Sequence, residues 1–139
     1  MKIFRHLDQA GNMGFGRFDE EGRTFLIVQK PDGSFEATDQ AITPFQLLTP
    51  IDFRCIYAVG YNYRKHAEEA GATIPKHPVV FMKAPTSVQN PGDPIVLPRF
   101  LRSDKVDYEG ELGVVIGRPC KNVSPDEALS YVLGYVAAN

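Results

Sequence analysis

Two glutamates near the C-terminal third of the chain have the types and spacing of metal ligands. Glu109 and Glu111 flank Gly110, and Asp107 precedes them by two residues. The apolar residues that follow predict a long strand over Asp107–Ile116, in which alternate side chains share one face. Magnesium, manganese and calcium prefer carboxylate oxygens of this kind. By itself, the spacing favours a solvated strand face whose charges discourage edge-to-edge pairing.

A histidine and a glutamate three residues apart form the second candidate. Asn62 is predicted to cap a short helix over Tyr63–Ala70, on which His66 and Glu69 would share a face. A carboxylate beside an imidazole raises its basicity, which suits a general base that takes a proton from water. Spacing alone favours a surface ion pair of little energetic weight.

A lysine at the end of an apolar strand is the third candidate. Lys83 closes the predicted strand Val79–Lys83, and its ammonium group can either reach the surface or enter a pocket and hold a substrate oxygen. In isolation, the surface position is favoured. His6 and His77 have no acidic or metal-binding neighbours at useful spacing, so no role is assigned to them.

Composition excludes several classes of protein. The 139 residues include 15 Lys and Arg against 17 Asp and Glu, a net charge of −2, which argues against nucleic acid as a partner. No apolar run approaches the roughly 20 residues of a membrane helix, and the N-terminus does not read as a secretory signal. We therefore expect a soluble, cytoplasmic protein. Cys55 and Cys120 are expected to be reduced and packed.

The elements that must position these residues are short and mostly extended. A β meander, with strands at 15–18, 24–29 and 34–37, precedes an apolar connector at 43–50, and we place a domain boundary near residue 52. Beyond it, the sequence predicts strands at 53–60, 79–83, 94–97, 107–116 and 131–139. A capping box begins a helix at Ser124, with Pro125 as its first residue and Glu127 as the partner three positions on.

Five motifs, in this order, resemble the fumarylacetoacetate hydrolase family. The motifs are Tyr61–Glu69, Pro78–Lys83, Pro91–Ile95, Val106–Leu112 and Tyr131–Tyr135. The likeness covers residues 53–139, and the meander before them is similar to the small N-terminal domain of many bacterial members. The chain thus resembles the N-terminal half of a two-domain bacterial-type member.

This resemblance implies a β-rich α+β fold. It consists of a small N-terminal β-meander domain, residues 1–52, and the incomplete start of a mixed β-roll or β-barrel catalytic domain, residues 53–139. Glu109 and Glu111 are implied as ligands of a magnesium, manganese or calcium ion. The family's third ligand is an aspartate that would follow Asn139, so we expect this chain alone to be an inactive fragment.

The resemblance also implies the chemistry. His66 and Glu69 correspond to a catalytic dyad that activates water, and Lys83 lies where the family lines its substrate pocket. The expected reaction is hydrolysis of a C–C bond in an acylpyruvate-like 1,3-dicarbonyl acid through a metal-bound enolate, by a homodimer. Relatives of the same fold also decarboxylate 2-oxo acids or isomerise hydroxymuconate-type diacids. A binding module or a fragment without independent function is the alternative outside enzymes.

Overall fold

A computed structural model describes all 139 residues as nine strands and two short α-helices. The β-rich prediction is confirmed, whereas closure into a roll or barrel stays a prediction. The chain divides into two compact units, Met1–Ile95 and Val96–Asn139. The domain boundary placed near residue 52 stays a prediction as well. Among the helices, none combines the length and the apolar character that crossing a bilayer requires.

The first unit opens with a five-stranded antiparallel sheet. Its strands are β1 (Lys2–Leu7), β2 (Met13–Phe18), β3 (Thr24–Gln29), β4 (Phe35–Ala41) and β5 (Gln46–Leu48), in the spatial order β4-β3-β2-β1-β5. The meander prediction located β2, β3 and β4 but not β1. It also took the segment that contains β5 for a connector, because three residues between prolines carry no strand pattern of their own. β5 is held by antiparallel pairing to β1.

Three tight hairpins of the same construction join β1 to β4. Each has a glycine with a φ of +81° to +83°, at positions 11, 22 and 33. In each, the glycine N–H donates to the carbonyl three residues earlier, at 3.1, 3.2 and 2.9 Å respectively. Glycine suits this left-handed position because it has no Cβ. The turns are therefore encoded locally, and they fix the register of the strands.

Aromatic packing and two buried polar residues characterise the interior of this sheet. Phe4 is 8% exposed, and its ring centroid lies 4.5 Å from that of Phe18. Arg5 is equally buried, but its guanidinium donates to Asp52 Oδ1 at 2.8 Å. His6 is 5% exposed, and neither ring nitrogen has a hydrogen-bond partner. Burial of the Arg5 charge costs little free energy because the Asp52 carboxylate pairs with it.

A two-stranded ribbon and a helix complete the first unit. β6 (Ile56–Gly60) pairs antiparallel with β7 (Val79–Lys83), and α1 (Arg64–Glu69) lies between them in sequence. The predicted cap is wrong: Tyr63, not Asn62, is the N-cap residue, and it makes no side-chain capping bond.

Helix α1 ends in a glycine cap. Gly71 has a φ of +63° and its N–H donates to the Glu68 carbonyl at 3.0 Å, while the Ala72 N–H donates to the Ala67 carbonyl at 2.8 Å. These two bonds form a Schellman motif, which satisfies carbonyls that the helix leaves free.

The second unit is a ribbon of two antiparallel strands, β8 (Glu111–Ile116) and β9 (Val132–Ala138). Between them lies α2 (Pro125–Ala128), which begins at the predicted cap, Ser124. The capping box is only partly correct, since the Ser124 hydroxyl donates to the Glu127 carboxylate at 2.7 Å and makes no bond to the backbone.

Three further predictions need correction. β8 begins at Glu111 rather than at Asp107, and no strand forms over residues 94–97. That segment begins and ends beside proline, and proline supplies no N–H to a strand ladder. Cys55 and Cys120 are free, as predicted, but both are exposed rather than packed.

Candidate functional site

Helix α1 presents His66 and Glu69 to solvent. Ala67, between them, is fully buried at 0% exposure and fixes which side of this short helix faces the interior. His66 and Glu69 are both exposed, and no hydrogen bond or ion pair joins their side chains. The predicted helix is therefore present, the predicted surface ion pair is not formed, and the catalytic role of the two residues stays a prediction.

The His66 imidazole instead packs against an aromatic ring. The ring centroids of Tyr61 and His66 lie 5.7 Å apart at an interplanar angle of 61°, an edge-to-face arrangement. Tyr61 has a φ of +50°, a left-handed conformation that is uncommon outside glycine. Such strained positions cluster at functional sites. Sequence reasoning gave Tyr61 no site role, because only the backbone reveals this conformation.

Lys83 is the last residue of β7 and is exposed. Its Nζ lies 5.5 Å from the centroid of the Phe81 ring, since residues two apart in a strand share a face. No carboxylate pairs with this ammonium group. The Lys83 ammonium group therefore forms no ion pair within the chain, and its role toward a substrate stays a prediction.

Glu109 and Glu111 occupy the entry to β8. Glu109 precedes the strand, and its backbone N–H donates to Asn139 Oδ1 at 2.8 Å, which ties it to the end of β9. Glu111 is the first residue of β8 and lies opposite Ala138. The expected strand face of three acids does not form, because the ladder begins only at Glu111. Asp107 instead accepts a hydrogen bond from the neighbouring Tyr108 N–H.

The donor chemistry of this pair fits a hard cation. Both glutamate side chains are exposed, and neither makes a hydrogen bond or an ion pair. No group of three His, Cys, Asp or Glu residues able to hold a metal forms in the structure. Magnesium commonly uses one or two protein carboxylates and keeps several waters, so two free carboxylates are compatible with it.

Comparison with known proteins identifies the family. A family model described as fumarylacetoacetate (FAA) hydrolase C-terminal matches residues 55–139. The chain therefore belongs to the fumarylacetoacetate hydrolase family. Every candidate residue, from His66 to Glu111, lies within the matched segment.

Similar proteins with descriptive names are hydrolases. The chain is 42% identical over 145 residues to a caffeoylpyruvate hydrolase from Neonothopanus nambi, with 96% of this chain and 50% of that protein covered. It is 52% identical over 84 residues to a 2,4-didehydro-3-deoxy-L-rhamnonate hydrolase from a Sphingomonas species, with 60% of this chain and 29% of that protein covered.

A solved structure extends the likeness to nearly the whole chain. An uncharacterized protein from Mycobacterium abscessus matches with a TM-score of 0.73 and 36% identity, over 99% of this chain and 54% of the other. The chain also spans about half the length of the curated relatives it matches.

Proposed function

We propose that the protein is a divalent-metal-dependent hydrolase that cleaves a C–C bond in acylpyruvate-like 1,3-dicarbonyl acids. The observation that carries this proposal is the 42% identity, over 96% of the chain, to a protein named as a hydrolase of caffeoylpyruvate, which is an acylpyruvate. The uncommitted carboxylates of Glu109 and Glu111 support it, because the reaction calls for a Lewis acid. A homodimer is the assembly that we propose with this activity.

Glu109 and Glu111 would hold magnesium or manganese, and such an ion would polarise the substrate oxygens and stabilise the negative charge that develops on them. His66 would take a proton from water, and Glu69 would orient the imidazole and stabilise its charged form. The Lys83 ammonium would hold a substrate oxygen by charge. Water adds across the bond between the distal carbonyl carbon and the methylene carbon, which releases a carboxylic acid and pyruvate.

The arrangement of His66 defines what must change before it can act as a base. In the structure its ring packs against the Tyr61 ring and is not oriented by a hydrogen bond to the Glu69 carboxylate. Because the two residues lie one helical turn apart, rotation of their side chains suffices to bring them together. We propose that substrate binding drives this rotation.

The test assays the purified protein with three substrates in parallel, namely an acylpyruvate, oxaloacetate and a hydroxymuconate. The proposal expects magnesium- or manganese-dependent loss of the acylpyruvate enol absorbance, with pyruvate as a product. Turnover of oxaloacetate or the hydroxymuconate without any turnover of acylpyruvates would refute the hydrolase assignment in favour of the decarboxylase or isomerase.

Variants separate the metal ligands from the general base. We expect Glu109→Gln and Glu111→Gln to weaken manganese binding in a direct titration, and His66→Ala to lower kcat by about 10²-fold or more without weakening it. Glu68→Gln is the matched control, because Glu68 is an exposed carboxylate on α1 that has no proposed role. Manganese affinity equal to that of the wild type in both glutamate variants would remove the metal site from the proposal.

A further inference from the structure

Tyr61 occupies a backbone conformation for which its side chain is poorly suited. Seven residues of the chain have a positive φ, and six of them are glycine or asparagine, which adopt this conformation at the least cost. Tyr61, with a φ of +50°, is the exception. A glycine or asparagine would form the same turn with less strain, so the turn itself does not explain the aromatic ring.

The ring of Tyr61 lies at the junction between β6 and α1. β6 ends at Gly60, directly before Tyr61, and α1 begins at Arg64. The Tyr61 ring lies against the His66 imidazole, with 5.7 Å between the centroids and an interplanar angle of 61°. Neither side chain makes a hydrogen bond. Contact with Tyr61 is therefore the interaction that orients the His66 ring in the structure.

The helix that carries His66 is anchored, so a change of orientation at this position falls to the side chain. Ala67, the next residue, is fully buried, and the helix ends in the cap formed by Gly71. Glu69 lies one helical turn away, within reach of His66 by side-chain rotation. The imidazole thus has two alternative neighbours, the Tyr61 ring that it contacts and the Glu69 carboxylate that it does not.

We propose that Tyr61 is a positioning residue whose ring holds the His66 imidazole in a resting orientation, away from Glu69, until substrate displaces it. The effect on turnover rests on the proposed function, whereas the resting contact does not. Edge-to-face contacts between aromatic rings shift an equilibrium by roughly 2- to 10-fold. The resting contact lowers substrate affinity by up to the same factor, because only molecules with a correctly oriented His66 bind substrate at full strength.

Three variants separate the ring of Tyr61 from its backbone. Tyr61→Asn removes the ring and suits a left-handed backbone, whereas Tyr61→Phe keeps the ring and removes the hydroxyl. Tyr63→Asn is the matched control, because Tyr63 is 45% exposed against 43% for Tyr61 and does not pack against His66.

NMR of the purified protein reports the surroundings of the imidazole through the His66 Cε1–Hε1 signal. We expect this signal to shift in Tyr61→Asn, because the neighbouring aromatic ring is lost. It should stay near its wild-type position in Tyr61→Phe and in Tyr63→Asn. An unchanged signal in Tyr61→Asn, or an equal shift in Tyr63→Asn, would overturn the proposal.

A second substitution tests the alternative orientation directly. Glu69→Gln should change the His66 signal little in the wild-type background, because the two side chains do not touch. In the Tyr61→Asn background it should shift the signal, since the released imidazole contacts Glu69. Equal responses in the two backgrounds would show that Tyr61 does not control the orientation. Backbone amide signals of β6 and β7 report folding, and Tyr61→Gly replaces Tyr61→Asn if those signals are lost.

Kinetics with an acylpyruvate connect the resting contact to turnover. We expect Tyr61→Asn to lower KM by roughly 2- to 10-fold, because fewer molecules must first release His66. The value of kcat should stay within about twofold of the wild type, because the oriented dyad is already formed once substrate is bound. A merely structural role for Tyr61 would raise KM or lower kcat in this variant, and either result would overturn the proposal.

Failure of this inference differs from failure of the proposed function. A His66 signal that responds to Tyr61→Asn, in a protein that turns over oxaloacetate or a hydroxymuconate but no acylpyruvate, would keep the resting contact and refute the hydrolase proposal. Acylpyruvate turnover with both the His66 signal and KM unchanged in Tyr61→Asn would do the opposite.

Discussion

Replacing Gly16 with alanine should destabilise the first unit through steric overlap with two neighbouring side chains. Gly16 lies in β2 opposite Phe4 of β1. A Cβ at this position would overlap the Phe4 ring, at 2.6 Å from Cε2, and would lie 2.9 Å from Ile42 Cδ1. Carbon atoms pack favourably at about 3.5–4.0 Å, so neighbours on two sides must move by roughly 1 Å.

The magnitude follows from what that movement disturbs. Overpacking a well-packed core costs about 1–3 kcal/mol. Displacing the Phe4 ring also weakens its contact with Phe18, which lies 4.5 Å away between centroids and is worth about 1 kcal/mol. Alanine also makes the unfolded chain less flexible than glycine does, which offsets about 0.4–1 kcal/mol of this destabilisation. We therefore expect the free energy of unfolding to fall by about 2 kcal/mol and Tm by roughly 6–10 °C.

Thermal unfolding followed by circular dichroism measures this effect. Gly134→Ala is the matched control, because Gly134 lies inside β9 and a Cβ there would meet no atom within 4 Å. Phe4→Leu in the Gly16→Ala background should restore part of the loss by relieving the overlap. A Gly16→Ala protein that melts within 1 °C of the Gly134→Ala control would refute the steric argument.

Two further predictions concern local structure. The pKa of Asp8 lies below its ordinary value of 3.8, first because the Asn12 side chain and then because the Asn12 backbone N–H donates to its carboxylate. These hydrogen bonds stabilise the fold at full strength above pH 3.8, and the stabilisation is lost as pH falls through the lowered pKa of Asp8. The difference in Tm between the wild type and Asp8→Asn should therefore shrink below pH 3.8. A difference that stays constant from about pH 5 to about pH 2 would contradict this prediction. Gly71→Ala should lower the free energy of unfolding, measured by chemical denaturation, by about 1 kcal/mol, because Gly71 has a φ of +63°. Gly71→Asn should lower it by less, since asparagine tolerates this conformation better than alanine. Equal losses in the two variants would argue against the left-handed cap as the cause.

Local signals account for what could be predicted of the fold. Strands β2 and β3 follow from runs rich in apolar residues, and β4 follows from the turn residues that precede it. The hairpin glycines act within five residues of chain. β1 was missed because Arg5 and His6 stand in it as consecutive polar residues and break the apolar pattern. Arg5 is accommodated only through Asp52, 47 residues away, a partner that no local pattern indicates.

The candidate site was predicted in residue types but not in geometry. The sequence singled out Glu109 and Glu111, and both prove free of other partners. It assigned them to one continuous strand, however, and the ladder begins only at Glu111 because pairing depends on where β9 ends, at Ala138. The hydrogen bond from Glu109 to Asn139 joins residues 30 apart and is equally nonlocal.

The sequence by itself determined the family, the β-rich character, the two hairpin turns that follow β2 and β3, and the candidate residues, because motif order, turn glycines and side-chain chemistry are properties of short segments. Only the tertiary structure decided which side chains are free to act. It shows that His66 packs against Tyr61 instead of Glu69, and that Tyr61 adopts a left-handed backbone. Whether a charged group is already paired depends on the side chains that the fold brings within a few ångströms of it.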